Sequence, residues 1–374
     1  MPESSPSRRA FLASTAATLA AATVPSRADA SQAPRADASL APPQLPRPVA
    51  LGLDNFAVRE SGWKAARLIE YAASLNVDSL FISDLESFDA ADAVLLSALR
   101  ERAQAAGVGL HVGMWSVCPT SKAFRKQNGT ADAQLANGIR IARAVGSPVI
   151  RIVLGTWEDR LTDGGIYRHI DTLVGVLKTA RSRALDAGMK IAVENHAGDM
   201  RSEELAALVE MAGRDYVGVN FDAGNALWTI EDPVDAFDRL APYVVTTSVR
   251  DGVVQEIPTG ARVRWTAMGD GQIDWPLLTQ RFADACPGVP LHVETISGVG
   301  RDLPFLDADF WDAWPRVDGS SLARFIGLMR RKAPTVPALA KPNDAADQRR
   351  ELEKSLAYCR RALGLGIRGT GTPV

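Results

Sequence analysis

KIAVENHAGDM, residues Lys190–Met200, begins as a buried strand and ends in three polar groups. Side chains alternate along a strand, so Ile191 and Val193 share one face while Ala192, Glu194 and His196 share the other. An unpaired carboxylate is expensive to bury. The meaning of Glu194 therefore depends on where the other strands end.

Working outward, short apolar runs recur: VALGLD (49–54), DSLFISD (78–84), VGLHVGMW (108–115), PVIRIVLG (148–155), MKIAVENH (189–196), YVGVNFD (216–222), VVTTSVRD (244–251) and VPLHVET (289–295). Each precedes a longer segment with apolar residues spaced three and four apart, the mark of an amphipathic helix. In the seventh unit a long loop intervenes before that helix. Gly107, Gly146, Gly188 and Gly213 follow helical segments as C-terminal stops, and Asp232 and Asp274 precede Pro233 and Pro276 as N-caps. Eight strand-then-helix units predict an α/β protein, a (β/α)8 TIM barrel over residues 49–332. A doubly wound open sheet is the alternative, weakened because no Gly-rich phosphate loop follows the first strand. Beyond about Ala333 comes a Pro-rich spacer. The charged segment AADQRRELEKSLAYCRRALGLG within 333–374 then reads as an extra C-terminal helix, packed on the barrel or on a partner such as a second copy.

The same alternation sorts the other strands. Facing the barrel axis are His111, Gly113 and Trp115; Arg151; Gly218, Asn220 and Asp222; Thr246, Ser248 and Arg250; and His292 and Glu294. Carboxylates gathered inside a barrel resist ionisation unless cations stand among them. A metal ion, or a ring of arginines, would make Glu194 tolerable. The C-terminal strand ends of such a barrel form its active site. Two plainer readings stay open: Arg151 paired structurally with Glu194 or Asp222, and His111 or His292 as hydrogen-bonded core residues. Trp115, Trp157 and Trp228 follow strands three, four and six, where their flat rings could stack on a ligand or simply pack the rim.

Bulk properties set the exclusions. The 374 residues are 46% hydrophobic and 23% charged, with a net charge of -2, which argues against a nucleic-acid footprint. Cys118, Cys286 and Cys359 are too few and scattered for a disulfide framework or thiolate zinc site. At the N-terminus, Arg8 and Arg9 precede the mild apolar run AFLASTAATLAAATV, and RADA (27–30) offers small residues for cleavage. Residues 1–30 thus read as a Tat-type signal peptide, and 31–48 as a Pro/Ala-rich linker. The expected destination is periplasmic or extracellular. No membrane role is needed once the signal is removed, since the apolar run is too short for a stable span.

Four segments make the chain resemble the sugar phosphate isomerase/epimerase family, built on xylose isomerase-like barrels: IAVENHAGD, VGVNFDAGNALW, MGDGQIDW and LHVET. The resemblance implies that Glu194, Asp222 and Glu294 bind a divalent metal, with Mn, Mg or Co suited to such oxygen ligands. It also implies that Glu194 and Glu294 exchange a proton beside a sugar carbonyl, with His196 shuttling protons or holding a hydroxyl. His111, Trp115, Arg151, Asn225, Trp228, Arg250 and His292 are the expected contacts to an unphosphorylated sugar, keto-sugar or cyclitol. One departure stands out. Ser248 replaces the His that the family carries on its seventh strand, so His196, His292 or water would have to complete the ligand set. The departure leaves open a catalytically weakened carbohydrate-binding barrel, and a lyase or dehydratase of the same family would begin with the same proton abstraction. A phosphodiesterase of the endonuclease IV type would want many histidine ligands, and the chain has four histidines in all.

Overall fold

The computed structural model of the chain describes residues 44–89, 92–331 and 344–368. The signal segment, most of the linker and the Pro-rich spacer lie outside the described residues. Seven parallel strands run in chain order: β1 (Leu51–Asp54), β2 (Ser79–Ile82), β3 (Gly109–Gly113), β4 (Val149–Val153), β5 (Lys190–Glu194), β6 (Val217–Phe221) and β7 (Val244–Thr247). The eighth, β10 (Leu291–Val293), pairs in parallel with β1. Between β7 and β10 the ring closes by a single parallel bridge. Val249 N donates to His292 O at 2.8 Å, and Glu294 N donates to Val249 O at 2.8 Å. That bridge brings Arg250 alongside Glu294.

Outside the strands lie helices whose ends match their sequence signals. Asp232 accepts from Val234 N at 2.9 Å and starts the helix Pro233–Leu240. Asp274 accepts from Leu277 N at 3.2 Å and starts the helix Trp275–Ala285. Outward-facing Leu51, Leu53, Ile150, Ile152, Ile191, Val193, Val219 and Val293 are all fully buried beneath the helices. This apolar layer is the main favourable term of the fold.

The stretch read as a long loop after the seventh strand is instead a hairpin, β8 (Asp251–Ile257) and β9 (Gly260–Thr266). A third antiparallel strand, β11 (Gly300–Leu303), is added from beyond β10. Its signal was present: buried Ala261, Val263 and Trp265 alternate with less buried Arg262 and Arg264.

The extra helix spans Ala345–Leu363 and docks on the barrel. Tyr71 donates its hydroxyl to Glu353 at 3.0 Å, and Met268 N donates to Ser355 Oγ at 3.1 Å. Past the helix, Asp78 accepts from the backbone N–H of Leu51, Ile367 and Arg368 at 2.7–2.9 Å. One carboxylate therefore ties the C-terminal segment to the first strand.

Candidate active site

The C-terminal ends of three strands converge on one buried acid cluster. Glu194 ends β5, Asp222 follows β6, and Glu294 follows β10. One oxygen from each lies within 4.8 Å of the other two. Glu194 accepts from Asn220 Nδ2 at 3.0 Å through Oε2 and from Asn225 Nδ2 at 3.2 Å through Oε1. Arg151 Nε stands 2.9 Å from Oε2. A carboxylate has about four lone-pair sites, so Oε1 retains room for one more partner.

Arg250 supplies the second cation. Its Nη2 lies 2.5 Å from both Asp222 Oδ2 and Glu294 Oε2. Burial pushes the Glu294 carboxyl well above its usual range and that of Asp222 up to about 7, both against the pull of Arg250. A fourth acid flanks the cluster, and the sequence reading does not single it out. Asp54, at the end of β1, accepts from Ser83 Oγ at 2.7 Å and from Ser248 Oγ at 2.9 Å. Burial raises its pKa too. The run VALGLD carries the signal, since Asp54 shares the inward face with Gly52. Four acids against two arginines leave two surplus negative charges when all are ionised, and raised pKa values relieve that surplus with protons.

At the edge of the cluster, His196 donates Nδ1–H to Gly155 O at 2.7 Å, which fixes the tautomer and leaves Nε2 as an acceptor. Burial lowers its pKa. Asp199 shapes this turn by accepting from His196 N at 2.9 Å and Gly155 N at 3.1 Å. Half-buried Trp115 meets the imidazole edge-on at 5.3 Å. Both are only partly buried, and the Arg125 guanidinium lies 5.6 Å from the centre of the Trp115 ring.

Other expected contacts are already engaged. His292 is fully buried: one ring nitrogen bonds Ser79 Oγ at 2.8 Å and the other Thr247 O at 3.0 Å. It cannot turn toward an ion or a sugar without abandoning both. His111 bonds Thr246 Oγ1 at 2.8 Å and packs 4.8 Å from the His292 ring. The pair forms a buried layer inside the barrel, the core reading of both histidines. Trp228 does not offer a free face either, being stacked on Trp265 at 4.3 Å. Trp157 is covered by the Arg301 guanidinium at 4.1 Å. Asn225 bridges Glu194 and Asp222 through Nδ2, and Arg151 pairs with Glu194 while donating to Met114 O at 3.2 Å. These two hold the acids rather than face outward.

The histidine layer has a pH signature. Burial lowers His111 to about 4, against about 6.5 in an unfolded chain. The unfolded chain thus binds the extra proton between these values, so this contribution is present above pH 6.5 and lost as pH falls toward 4. Between pH 4.5 and 6, urea-unfolding free energy should climb more steeply in the wild type than in His111→Gln, by up to about 1.4 kcal/mol per pH unit. Parallel slopes would show that the folded barrel does not exclude this proton.

A divalent ion fits this cluster by spacing and not by donor set. The three carboxylates are near enough to share a cation. Yet Arg250 already touches the oxygens of Asp222 and Glu294, and Ser248, in the place of the expected fourth ligand, turns its hydroxyl to Asp54. An ion could enter only where Arg250 had left.

Fold and site together define a (β/α)8 barrel with a buried acid cluster at the C-terminal ends of its strands. The chain belongs to the xylose isomerase-like TIM barrel family, whose model matches residues 57–309. An uncharacterised Escherichia coli K12 protein, YihM, is 22% identical over 217 residues, covering 57% of this chain and 60% of that protein. The match thus spans less than two thirds of that relative. Among solved structures, D-psicose 3-epimerase in the presence of D-fructose superposes with a TM-score of 0.56 at 15% identity, over 84% of this chain and 99% of that one. The D-psicose 3-epimerase of Clostridium cellulolyticum H10 with D-tagatose gives 0.55 at 15% identity, over 84% and 99%. L-ribulose 3-epimerase gives 0.53 at 15%, over 82% and 97%. At these identities the likeness is one of fold.

Proposed function

We propose that this chain is a sugar isomerase or epimerase that moves a proton on a carbon next to a carbonyl. The observation that carries the reading is the acid cluster itself: Glu194, Asp222 and Glu294, brought from three strand ends within 4.8 Å, with two arginines among them. A scaffold needs no such concentration of buried charge, and carboxyls raised by burial, as those of Asp222 and Glu294 are, mark functional sites.

In the proposed reaction, Glu194 takes the proton through Oε1, the oxygen with a lone pair to spare. The C–H electron pair moves into the new C=C bond, and the carbonyl oxygen becomes the enolate oxygen. Arg250 stands ready to stabilise that developing charge. Glu294 returns a proton to carbon, and the side from which it does so sets the stereochemical outcome. His196 Nε2 accepts from a substrate hydroxyl, and Trp115 offers a ring face to the sugar.

The substrate class we favour is an unphosphorylated keto-sugar or cyclitol. Epimerases of this fold were solved with D-fructose and D-tagatose, and the sequence carries no Gly- and Lys-rich phosphate loop. Loss of water from the same enolate would make the chain a dehydratase. The test is incubation in deuterium oxide with a panel of keto-sugars and cyclitols, read by mass spectrometry. Carbon-bound deuterium with a rearranged product supports the isomerase. Deuterium with loss of water supports the dehydratase. Binding without exchange turns the reading to a carbohydrate-binding barrel.

We also propose export by the Tat route before the protein acts in the periplasm or outside the cell. Arg8→Lys combined with Arg9→Lys should hold the precursor in the cytoplasm; unimpaired export of that variant would point to the Sec route.

A further inference from the structure

The acid cluster raises a question of its own: what is its resident cation? We propose that Arg250 holds that place permanently, so that the site is organised by a guanidinium and not by a divalent metal. The proposal rests on the reading that Glu194, Asp222 and Glu294 form the working site.

Three features build the arginine in. First, Nη2 lies 2.5 Å from oxygens of two of the three clustered acids, so it occupies the coordination space that an ion would need. Second, the rest of the side chain is fitted to its surroundings. A Cβ on residue 224 would lie 2.3 Å from Arg250 Cγ, and Gly224 leaves that space open. The guanidinium carbon sits 4.6 Å from the centre of the Trp265 ring. Trp265 is itself fixed, since its Nε1 donates to Gly224 O at 3.0 Å and its ring stacks on Trp228. A side chain gripped along its stem and over its plane is not free to swing aside for an ion. Third, Ser248 shares the inward face two residues earlier and spends its hydroxyl on Asp54, not on the cluster. A hydroxyl is also a poor replacement for imidazole as a ligand.

The third acid has its own cation. Glu194 pairs with Arg151 and takes two side-chain amides. Each acid therefore has a protein partner without recourse to an ion.

The experiment measures metal directly on the purified full chain. Elemental analysis after purification without chelator should find far less than one equivalent of Mn, Mg, Co or Zn. EDTA should leave the unfolding temperature unmoved, and titration with Mn2+ should show no binding tighter than about 1 mM. Arg250→Met, which keeps the stem over Trp265 and removes the charge, should bind Mn2+ about 100-fold more tightly than the wild type and gain thermal stability from it. Stoichiometric metal in the wild-type chain, or micromolar Mn2+ affinity after EDTA treatment, would overturn the proposal. So would a folded Arg250→Met variant with no gain in affinity. Should that variant fail to fold, the wild-type titration decides alone. A metal-loaded chain that still exchanges hydrogen with a keto-sugar sinks this inference and spares the functional one. A metal-free chain without exchange does the reverse.

Discussion

Glu194→Gln should lower hydrogen exchange into a reactive keto-sugar by about 1,000-fold, the scale lost with a general base. Gln is nearly the same shape, but an amide cannot take the proton. The substitution also weakens the partner of a buried arginine, because Arg151 lies 2.9 Å from the oxygen in question. The cost of an unpaired buried charge is several kcal/mol, although Arg151 keeps its bond to Met114 O. The variant should therefore melt earlier yet still cooperatively. Exchange should be compared below both melting transitions, so that lost folding is not read as lost chemistry. A well-folded variant that exchanges at the wild-type rate would remove Glu194 from the role of base and shift attention to Glu294 or His196.

Asp251→Ala should carry the largest stability cost, about 4 kcal/mol. Its carboxylate is fully buried and accepts from four backbone N–H groups. Gly252 and Ile273 donate to Oδ1 at 2.8 and 3.4 Å, and Gly269 and Gly271 to Oδ2 at 3.0 and 3.1 Å. Burial pushes the carboxyl up to about 7 even against these donors. The Gly-rich segment MGDGQIDW is wrapped around it, and Gly271 is required by contact: a Cβ there would lie 1.9 Å from Asp251 Oδ1. Alanine would leave those N–H groups without an acceptor. Because Asp251 adjoins Arg250, the loss should also loosen the acid cluster. Urea unfolding of wild type, Asp251→Ala and Asp251→Asn would check this, with Asn recovering part of the loss through its one carbonyl oxygen. An alanine variant within 1 kcal/mol of wild type would show that the loop holds its own shape.

Much of this molecule was legible in one dimension. Strand alternation placed Glu194, Asp222 and Glu294 on inward faces and Ile191 and Val193 on outward ones, because the period of two is a local property of the backbone. Helix stops at Gly146 and caps at Asp232 and Asp274 were equally local. The same rule reads Asp54 as inward-facing, and the alternation of Ala261, Val263 and Trp265 marks β9 as a strand.

Residue order alone therefore yields the barrel and the list of polar side chains that enter it, since both follow from periodicities within a few residues. Which of those side chains meet is set by the folded chain alone. Arg250 falls on Asp222 and Glu294 because a single bridge at Val249 closes the ring there. His292 is claimed by Ser79 across β1 and by Thr247 from β7, and Trp228 by Trp265 from the hairpin. Ser248 turns to Asp54, 194 positions away in the chain. The electrostatic energy of a buried charge depends on neighbours within a few ångströms. Those neighbours come from distant parts of the chain, and local periodicity carries no record of them.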